Sequence, residues 1–339
     1  MDTVRIGIIG LGRLGRRYAE NLHFKVRGAH LVAACSINDQ ELAFAEAKLG
    51  VRQLFTDVDV MLEKAEMDAL VIVSSTDQHA THFTKGLNAG LHVFCEKPLA
   101  LNVATCEQVA AEAAKRPDQY AVVGFVRRFD PSYRYAKDKV DAGAIGRPFL
   151  VKSQTVDIDA TAPFQIEYVR TSGGSFHDLN VHDIDLAHWF LGARMERVYA
   201  TGRAYKHAGF AEVGDADNVL ATCVLDNGTM ASLHASRTAM HGHDTFTEVV
   251  GTEGVLRIGR PAASTRVEIS DQYGVRQECV QTFYDRFEEG FLLQTQDFID
   301  CIREGRRPEL TLEDAIEATR GAVALTQSFR EQREVHLQR

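Results

Sequence analysis

Three short stretches of this chain carry residue types whose spacing can do chemistry. The first is Gly10-Leu11-Gly12-Arg13-Leu14-Gly15, a Gly-x-Gly-x-x-Gly loop directly after the apolar run Val4–Ile9. Between a strand and a helix, Gly10 permits a tight turn and Gly12 lets the backbone approach a pyrophosphate. Gly15 lets the helix pack closely on the strand. The helix that the loop opens presents free N–H groups and the positive end of its dipole to a phosphate. A dinucleotide is the expected ligand.

That pattern also calls for an acid about 20 residues further on, to hold the ribose 2′-hydroxyl. The second strand ends at Cys35, and the next residue is Ser36. Asp39 falls at the start of the following helix. Ile37 offers no guanidinium to a 2′-phosphate, and Arg13, in the glycine loop, is the nearest candidate. The residues by themselves leave NAD and NADP both open.

The second stretch is Glu96-Lys97-Pro98, after the strand His92–Cys95. A lysine at the C-terminal end of a parallel strand points into the crevice where ligands bind. There it can move a proton or polarise a substrate oxygen. Elsewhere it would form a surface ion pair with Glu96.

The third stretch runs from Gly173 to Trp189 and contains Asp178, His182, Asp185 and His188. On a continuous helix Asp178 and His182, four apart, share a face. A carboxylate beside an imidazole orients it and raises its basicity, as a general base requires. The bland reading of His182 is a core or capping histidine. His177, His182 and His188 are five and six residues apart, so no histidine pair has helical metal-ligand spacing, and no metal is expected.

Those stretches need elements to position them. Strand-like runs at Val4–Ile9, Ala29–Cys35, Met67–Ser74, His92–Cys95 and Tyr120–Phe125 alternate with helical runs at Leu14–Leu22, Gln40–Leu49, Ala80–Ala89 and Asn102–Lys115. Such alternation predicts βαβ units and a doubly wound parallel sheet. After Phe125 the pattern changes. Helices are expected at Arg134–Ala142, Ser175–Leu191, Gly290–Arg303 and Leu312–Gln327, and a strand at Phe149–Val156. Six short strand-like runs lie between Arg197 and Ser270: RVYATGRAY, NVLATCVL, MASLHASR, TFTEVVG, GVLRIG and TRVEIS. Asn227-Gly228 is a hairpin signal between two of them. The expected organisation is a dinucleotide-binding domain over 1–124 and an α+β domain over 125–339 with a large, mostly antiparallel open sheet.

With 339 residues, 45% of them hydrophobic and 25% charged, the chain has ordinary globular composition. A net charge of −9 argues against nucleic acid as partner. No apolar run reaches the roughly 18 residues that span a bilayer, and no signal-peptide pattern opens the chain. The six cysteines form no CxxC pair, so a reducing compartment, the cytoplasm, is expected.

Together, GLGRLG, FCEKPLA, GFVRRFDP at 124–131 and DLNVHDIDLAHW at 178–189 resemble the Gfo/Idh/MocA oxidoreductases in order and spacing across essentially the whole chain. Among them the resemblance is nearest to inositol dehydrogenases, which oxidise myo- or scyllo-inositol to a ketone. It implies a Rossmann domain, a C-terminal open-sheet domain, and dimers or a homotetramer formed through that sheet. It implies that Lys97 contacts substrate and the nicotinamide end, that Asp178 and His182 are the catalytic pair, and that Arg127 lies near both ligands. Ser74, His79 and Glu96 would line the cofactor. Asp157 would contact substrate, as would His241 and His243 where relatives carry tyrosines. NAD is the implied cofactor, with NADP possible because Ser36 stands where NAD users often carry Asp. Other outcomes are a pyranose dehydrogenase, a ketone reductase, or a non-catalytic nucleotide-sensing regulator.

Overall fold

Every residue of Val4–Ile9 except Arg5 is buried, so this strand (β1) is covered on both faces, as in the middle of a parallel sheet. The structure, a computed structural model, describes residues 3–259, 263–265 and 267–337. The chain divides into two units, each made of two stretches. The first unit runs through Phe129 and takes in Glu289–Thr319, and the second holds Asp130–Glu288 and Arg320 onward. The division expected from sequence treated each domain as one continuous stretch ending or starting near residue 125. Residues 289–319 lie with the first unit instead.

In the first unit β1 is followed by α1 (Arg13–Phe24), β2 (Ala29–Cys35), α2 (Asp39–Leu49), β3 (Gln53–Phe55), α3 (Val58–Lys64) and β4 (Ala69–Ile72). Then come α4 (His79–Asn88), β5 (His92–Glu96), α5 (Val103–Ala114) and β6 (Ala121–Gly124). The six strands are parallel in the order β3-β2-β1-β4-β5-β6, the doubly wound arrangement the alternation predicts. Sequence reading missed β3 and α3. A three-residue strand carries too little alternation to be seen. The signal for α3 was its cap, where the Asp57 carboxylate accepts from the N–H groups of Asp59 and Val60 at 2.8 and 3.1 Å.

The second unit contains α6 (Pro131–Asp141), β7 (Pro148–Ile158), α7 (Ala162–Ser172), α8 (Ser175–Asp178), α9 (Asn180–Leu191), β8 (Met195–Arg203) and α10 (Gly209–Glu212). β9 (Asn218–Leu225), β10 (Met230–Ala239), β11 (Asp244–Gly251), β12 (Val255–Ile258), β13 (Ile269–Asp271) and β14 (Gly274–Arg276) follow. The chain ends through α11 (Phe283–Glu304), α12 (Leu312–Glu331) and β15 (Val335–His336). Phe287, with φ −117° and ψ 20°, interrupts α11 just before residue 289, where the chain returns to the first unit.

Seven strands form the second unit's sheet in the order β12-β11-β7-β10-β9-β8-β15. Its pairs are antiparallel except β10 with β7, so the sheet is mixed and mostly antiparallel. Asn227-Gly228 closes the β9–β10 hairpin. Gly228, at φ +80°, donates to Leu225 O, and the Asn227 side chain accepts from Thr229 N–H at 3.0 Å. Of the run at 265–270 only Ile269 and Ser270 are strand, and Arg266 lies outside the described residues.

The single helix expected over 175–191 is two helices, α8 and α9, meeting at Leu179 with φ −95° and ψ −61°. What seats α9 on β7 is Asp183, whose side chain is fully buried. One oxygen accepts from Ser153 Oγ at 2.6 Å. The other accepts from Thr155 Oγ1 and Asn180 Nδ2, both at 2.8 Å. A buried carboxylate with three donors is satisfied rather than reactive, and it fixes the register of α9 on the sheet.

Candidate functional site

On the first unit the turn from β1 into α1 is shaped by close approach. Gly10 has φ +88°, and a Cβ there would fall 2.5 Å from Val73 O. A Cβ at Gly15 would fall 2.1 Å from Gly10 O. At Gly12 the nearest atom is Glu41 Oε1, at 3.7 Å. The outer glycines are therefore packed against backbone, and the middle one has only the Glu41 carboxylate within contact distance. Gly12 is also the N-cap of α1, with no side chain capping the helix and no acidic residue in its first turn. Backbone N–H groups at an uncapped helix start beside an open glycine are what a pyrophosphate requires. A dinucleotide fits. Leu14 is half-buried in the loop, and Arg13 is exposed.

Ser36, at the end of β2, is buried. Its Oγ donates to Glu41 Oε2 at 2.6 Å and accepts from Asn38 N–H at 3.1 Å. Ser74 Oγ lies 3.1 Å from His82 Nδ1. His79 is buried, with Nδ1 2.8 Å from Pro98 O and Nε2 3.0 Å from Ser74 O. It therefore ties the end of β4 to the segment after β5. Burial holds its pKa below the ordinary imidazole value, against the pull of the two carbonyls.

Glu96 is buried beneath Lys97. It accepts from the Tyr18 hydroxyl, which in turn accepts from Gln294 Nε2. Its other oxygen accepts from Lys97 N–H at 3.0 Å. Burial pushes the Glu96 carboxyl pKa up, opposed by the Tyr18 bond and Lys97. Lys97 is half-buried, and its backbone is fixed by the residue before it. The Glu96 carboxylate that sequence pairs with Lys97 is turned inward onto Tyr18, and it still feels the Lys97 charge. Arg127 is 2% exposed. Its neighbour Arg128 binds Asp314 at 3.0 Å.

On the second unit the polar groups converge on a residue that sequence reading passed over. Arg237, on β10, is fully buried. Nη1 donates to Gln165 Oε1 at 2.5 Å and lies 3.9 Å from Asp157 Oδ2, and Nη2 donates to Asp178 Oδ2 at 3.0 Å. His243 Nδ1 is 2.9 Å from Asp157 Oδ1, and the ring is buried. Asp157, Asp178 and His243 are thus brought into one cluster around Arg237. His241 is not part of it. Its side chain is 51% exposed and meets Asp244 at 3.5 Å. His182 is half-buried on α9, directly beside the Asp183 anchor.

A signal for Arg237 existed. It follows Ala231, Leu233 and Ala235 at period two in β10, an inward position that an arginine occupies only when paired. Nearby, the Asp215 carboxylate accepts from Ser175 N–H and Oγ, both at 3.0 Å. Burial raises its pKa, and Arg237 opposes that rise. Among the described residues no three of His, Cys, Asp and Glu stand together as a metal site.

These features have close parallels. Residues 4–125 match the family model for the oxidoreductase family with an NAD-binding Rossmann fold, and residues 133–257 match the GFO/IDH/MocA C-terminal domain. The chain is 36% identical over 327 residues to scyllo-inositol 2-dehydrogenase (NAD(+)) of Bacillus subtilis (strain 168), covering 96% of this chain and 94% of that one. It is 32% identical over 336 residues to myo-inositol 2-dehydrogenase of Thermotoga maritima, covering 99% of each. Its fold superposes with a TM-score of 0.95 on scyllo-inositol dehydrogenase from Lactobacillus casei, whose crystal structure holds NAD(H) and scyllo-inositol. The two are 37% identical, covering 98% of this chain and 99% of that one.

Proposed function

The chain belongs to the Gfo/Idh/MocA oxidoreductase family, and from that premise we propose that it is an NAD-dependent inositol dehydrogenase, oxidising one secondary hydroxyl of myo- or scyllo-inositol to the ketone. The observation that carries this reading is the full-length likeness to the Lactobacillus casei enzyme that holds NAD(H) and scyllo-inositol. The cluster around Arg237 is consistent with it. A polyol presents many hydroxyls, and two carboxylates and a histidine fixed by a buried guanidinium supply oriented partners for them.

NAD, when bound, supplies the hydride acceptor. The Gly10–Gly15 loop and the N-terminus of α1 would hold its pyrophosphate, and Ser36, Ser74 and His79, at the ends of β2 and β4, would line it. As hydride leaves the carbinol carbon, the hydroxyl must lose its proton. His182 is the base that takes it, and Asp178, itself held by Arg237, orients that reaction. Lys97 stabilises the developing alkoxide, with its backbone fixed by Glu96. Arg127, Asp157 and His243 bind substrate. His241, exposed in this structure, has the weakest claim to that role.

The protein is read as cytoplasmic and as a dimer or tetramer formed through the second unit's sheet. Tyr199, Leu220 and Met230 lie on one face of β8, β9 and β10 and stay 41–48% exposed. Among the described residues no helix is long and apolar enough to cross a membrane.

A panel of inositols, pyranoses and acyclic polyols, assayed with NAD and NADP by the absorbance of the reduced nicotinamide, tests the function. Turnover of an inositol with NAD well above the rest is expected. A pyranose preferred by an order of magnitude would overturn the substrate.

A further inference from the structure

The end of β2 lacks the acid that reads the adenosine ribose, yet a carboxylate is present at that place. Glu41, in the first turn of α2, accepts from Ser36 Oγ at 2.6 Å and from the Leu11 N–H of the glycine loop at 3.3 Å, both through Oε2. Its Oε1 is the nearest atom to the space above Gly12. One carboxylate therefore joins the tip of β2 to the loop that cradles the pyrophosphate, between the two points that a bound dinucleotide's ribose connects.

The local sequence would have put this side chain elsewhere. Asn38 is the N-cap of α2, so Glu41 is the third helical residue, and a glutamate there ordinarily turns back to the N-cap N–H. Here that N–H goes to Ser36 Oγ instead, and Asn38 caps through its own side chain onto Gln40 N–H at 2.9 Å. Glu41 is released from capping and turned toward Gly12. Ser36 serves as the relay. It carries no charge of its own, and its hydroxyl orients the charge on Glu41.

We propose that Glu41 is the residue by which this chain selects NAD over NADP. Its free acceptor capacity takes the ribose 2′-hydroxyl, and its negative charge repels a 2′-phosphate in the same place. The charge thus comes from the helix after β2 rather than from the strand's end. The preference for NAD is expected to match that of a chain with an aspartate at position 36. The proposal rests on NAD being the cofactor, and concerns only which group enforces that choice.

The test is calorimetric titration of the full chain with NADH and with NADPH. It compares wild type, Glu41→Gln, Ser36→Ala and the double variant Ser36→Asp/Glu41→Gln. Glutamine keeps an oxygen for the Ser36 hydroxyl and the Leu11 N–H, so the loop is retained while the charge is lost. We expect Glu41→Gln to cut the NADH-to-NADPH affinity ratio about 10- to 100-fold, by weakening NADH and tightening NADPH together. Ser36→Ala should cost much less, since the charge remains. The double variant should regain most of the NADH preference, since it restores a carboxylate at the strand's end.

An unchanged ratio in Glu41→Gln, or equal weakening of both nucleotides, would overturn the proposal. So would a ratio that collapses in Ser36→Ala alone, or one that the double variant fails to restore. Wild-type protein that binds neither nucleotide would refute the cofactor reading itself, an outcome distinct from all of these.

Discussion

Arg237 Nη2 lies 3.0 Å from Asp178 Oδ2, joining the C-terminal end of β10 to the last residue of α8 through a guanidinium that solvent does not reach. Asp178 itself is 14% exposed, so its carboxylate is fixed by a buried cation without being sealed from solvent. That relationship makes Arg237 a positioning residue, and it can be tested. Arg237→Met should destabilise the protein by about 3–5 kcal/mol, because the carboxylates around it lose their cation. Arg237→Lys keeps a charge but not the planar fork that reaches Gln165 and Asp178 together. It should fold, lose about 1–3 kcal/mol, and turn over at least tenfold more slowly with KM little changed. A lysine variant with normal turnover would remove Arg237 from the positioning of Asp178.

His182→Ala should lower turnover by about 10²–10⁴-fold, the usual cost of losing a general base, while NADH affinity measured by titration stays near wild type. In wild type, inositol oxidation should quicken as pH rises, because only the neutral imidazole accepts a proton. That rise should flatten in the variant. An unaltered pH profile in His182→Ala would assign the base elsewhere.

For Lys97 the informative change is to arginine, which retains the charge but has no titratable proton and a different shape. Turnover is expected to fall about 10²-fold or more. Circular dichroism and the thermal midpoint should stay near wild type, since Lys97 is half-buried and arginine keeps a positive charge beside Glu96. Normal activity in Lys97→Arg would reduce the residue to a point charge.

The His79 imidazole faces two carbonyl oxygens, and its neutral form donates to only one of them. Burial keeps its folded pKa below the ordinary value of about 6.5. The unfolded chain therefore takes up the proton first as pH falls, and stability drops from about pH 6.5 downward until the folded pKa is reached. His82, His92 and His234 are lowered too, with burial the first cause in each, and act in the same direction. Buried Glu96, raised, acts in the opposite one. The measurement is the thermal midpoint at about pH 8 and about pH 5.5 in wild type and His79→Gln. The loss on acidification should be smaller in the variant, and equal losses would contradict the linkage.

Gly15→Ala probes the loop without touching a side chain. The added Cβ would fall 2.1 Å from Gly10 O, a clash only backbone movement relieves. NADH binding should weaken by an order of magnitude or more, with a lowered thermal midpoint. Unimpaired binding would show that the loop tolerates opening.

Much of the first unit was legible in the sequence, because local signals there coincide with function. The apolar run Val4–Ile9, the glycine loop and Ala29–Cys35 each mark themselves within a few residues, and their alternation predicts the parallel sheet. β3 and α3 went unseen because three residues of strand carry almost no period. The second unit's sheet was readable as short runs with turns. Its one parallel pair, β7 with β10, was not, since pairing partners some 80 residues apart leave no mark on either strand.

The site divides in the same way. Lys97, Asp178 and His182 stand out because their types and neighbours are unusual within a short window. Glu41 and Arg237 do not, although each carries a charge to a place the local pattern leaves without one. Glu41 reads as a helix-cap residue until the fold brings Leu11 and Ser36 to it. Arg237 reads as a strand residue until α7 and α8 bring Gln165 and Asp178 against it. Residue type and spacing along the chain determined which groups could react. Which carboxylate faces the ribose and which guanidinium holds the aspartate depended on contacts 30 to 72 residues apart. Such contacts exist only once the sheets have assembled, because a hydrogen bond depends on distance in space and not on separation in sequence.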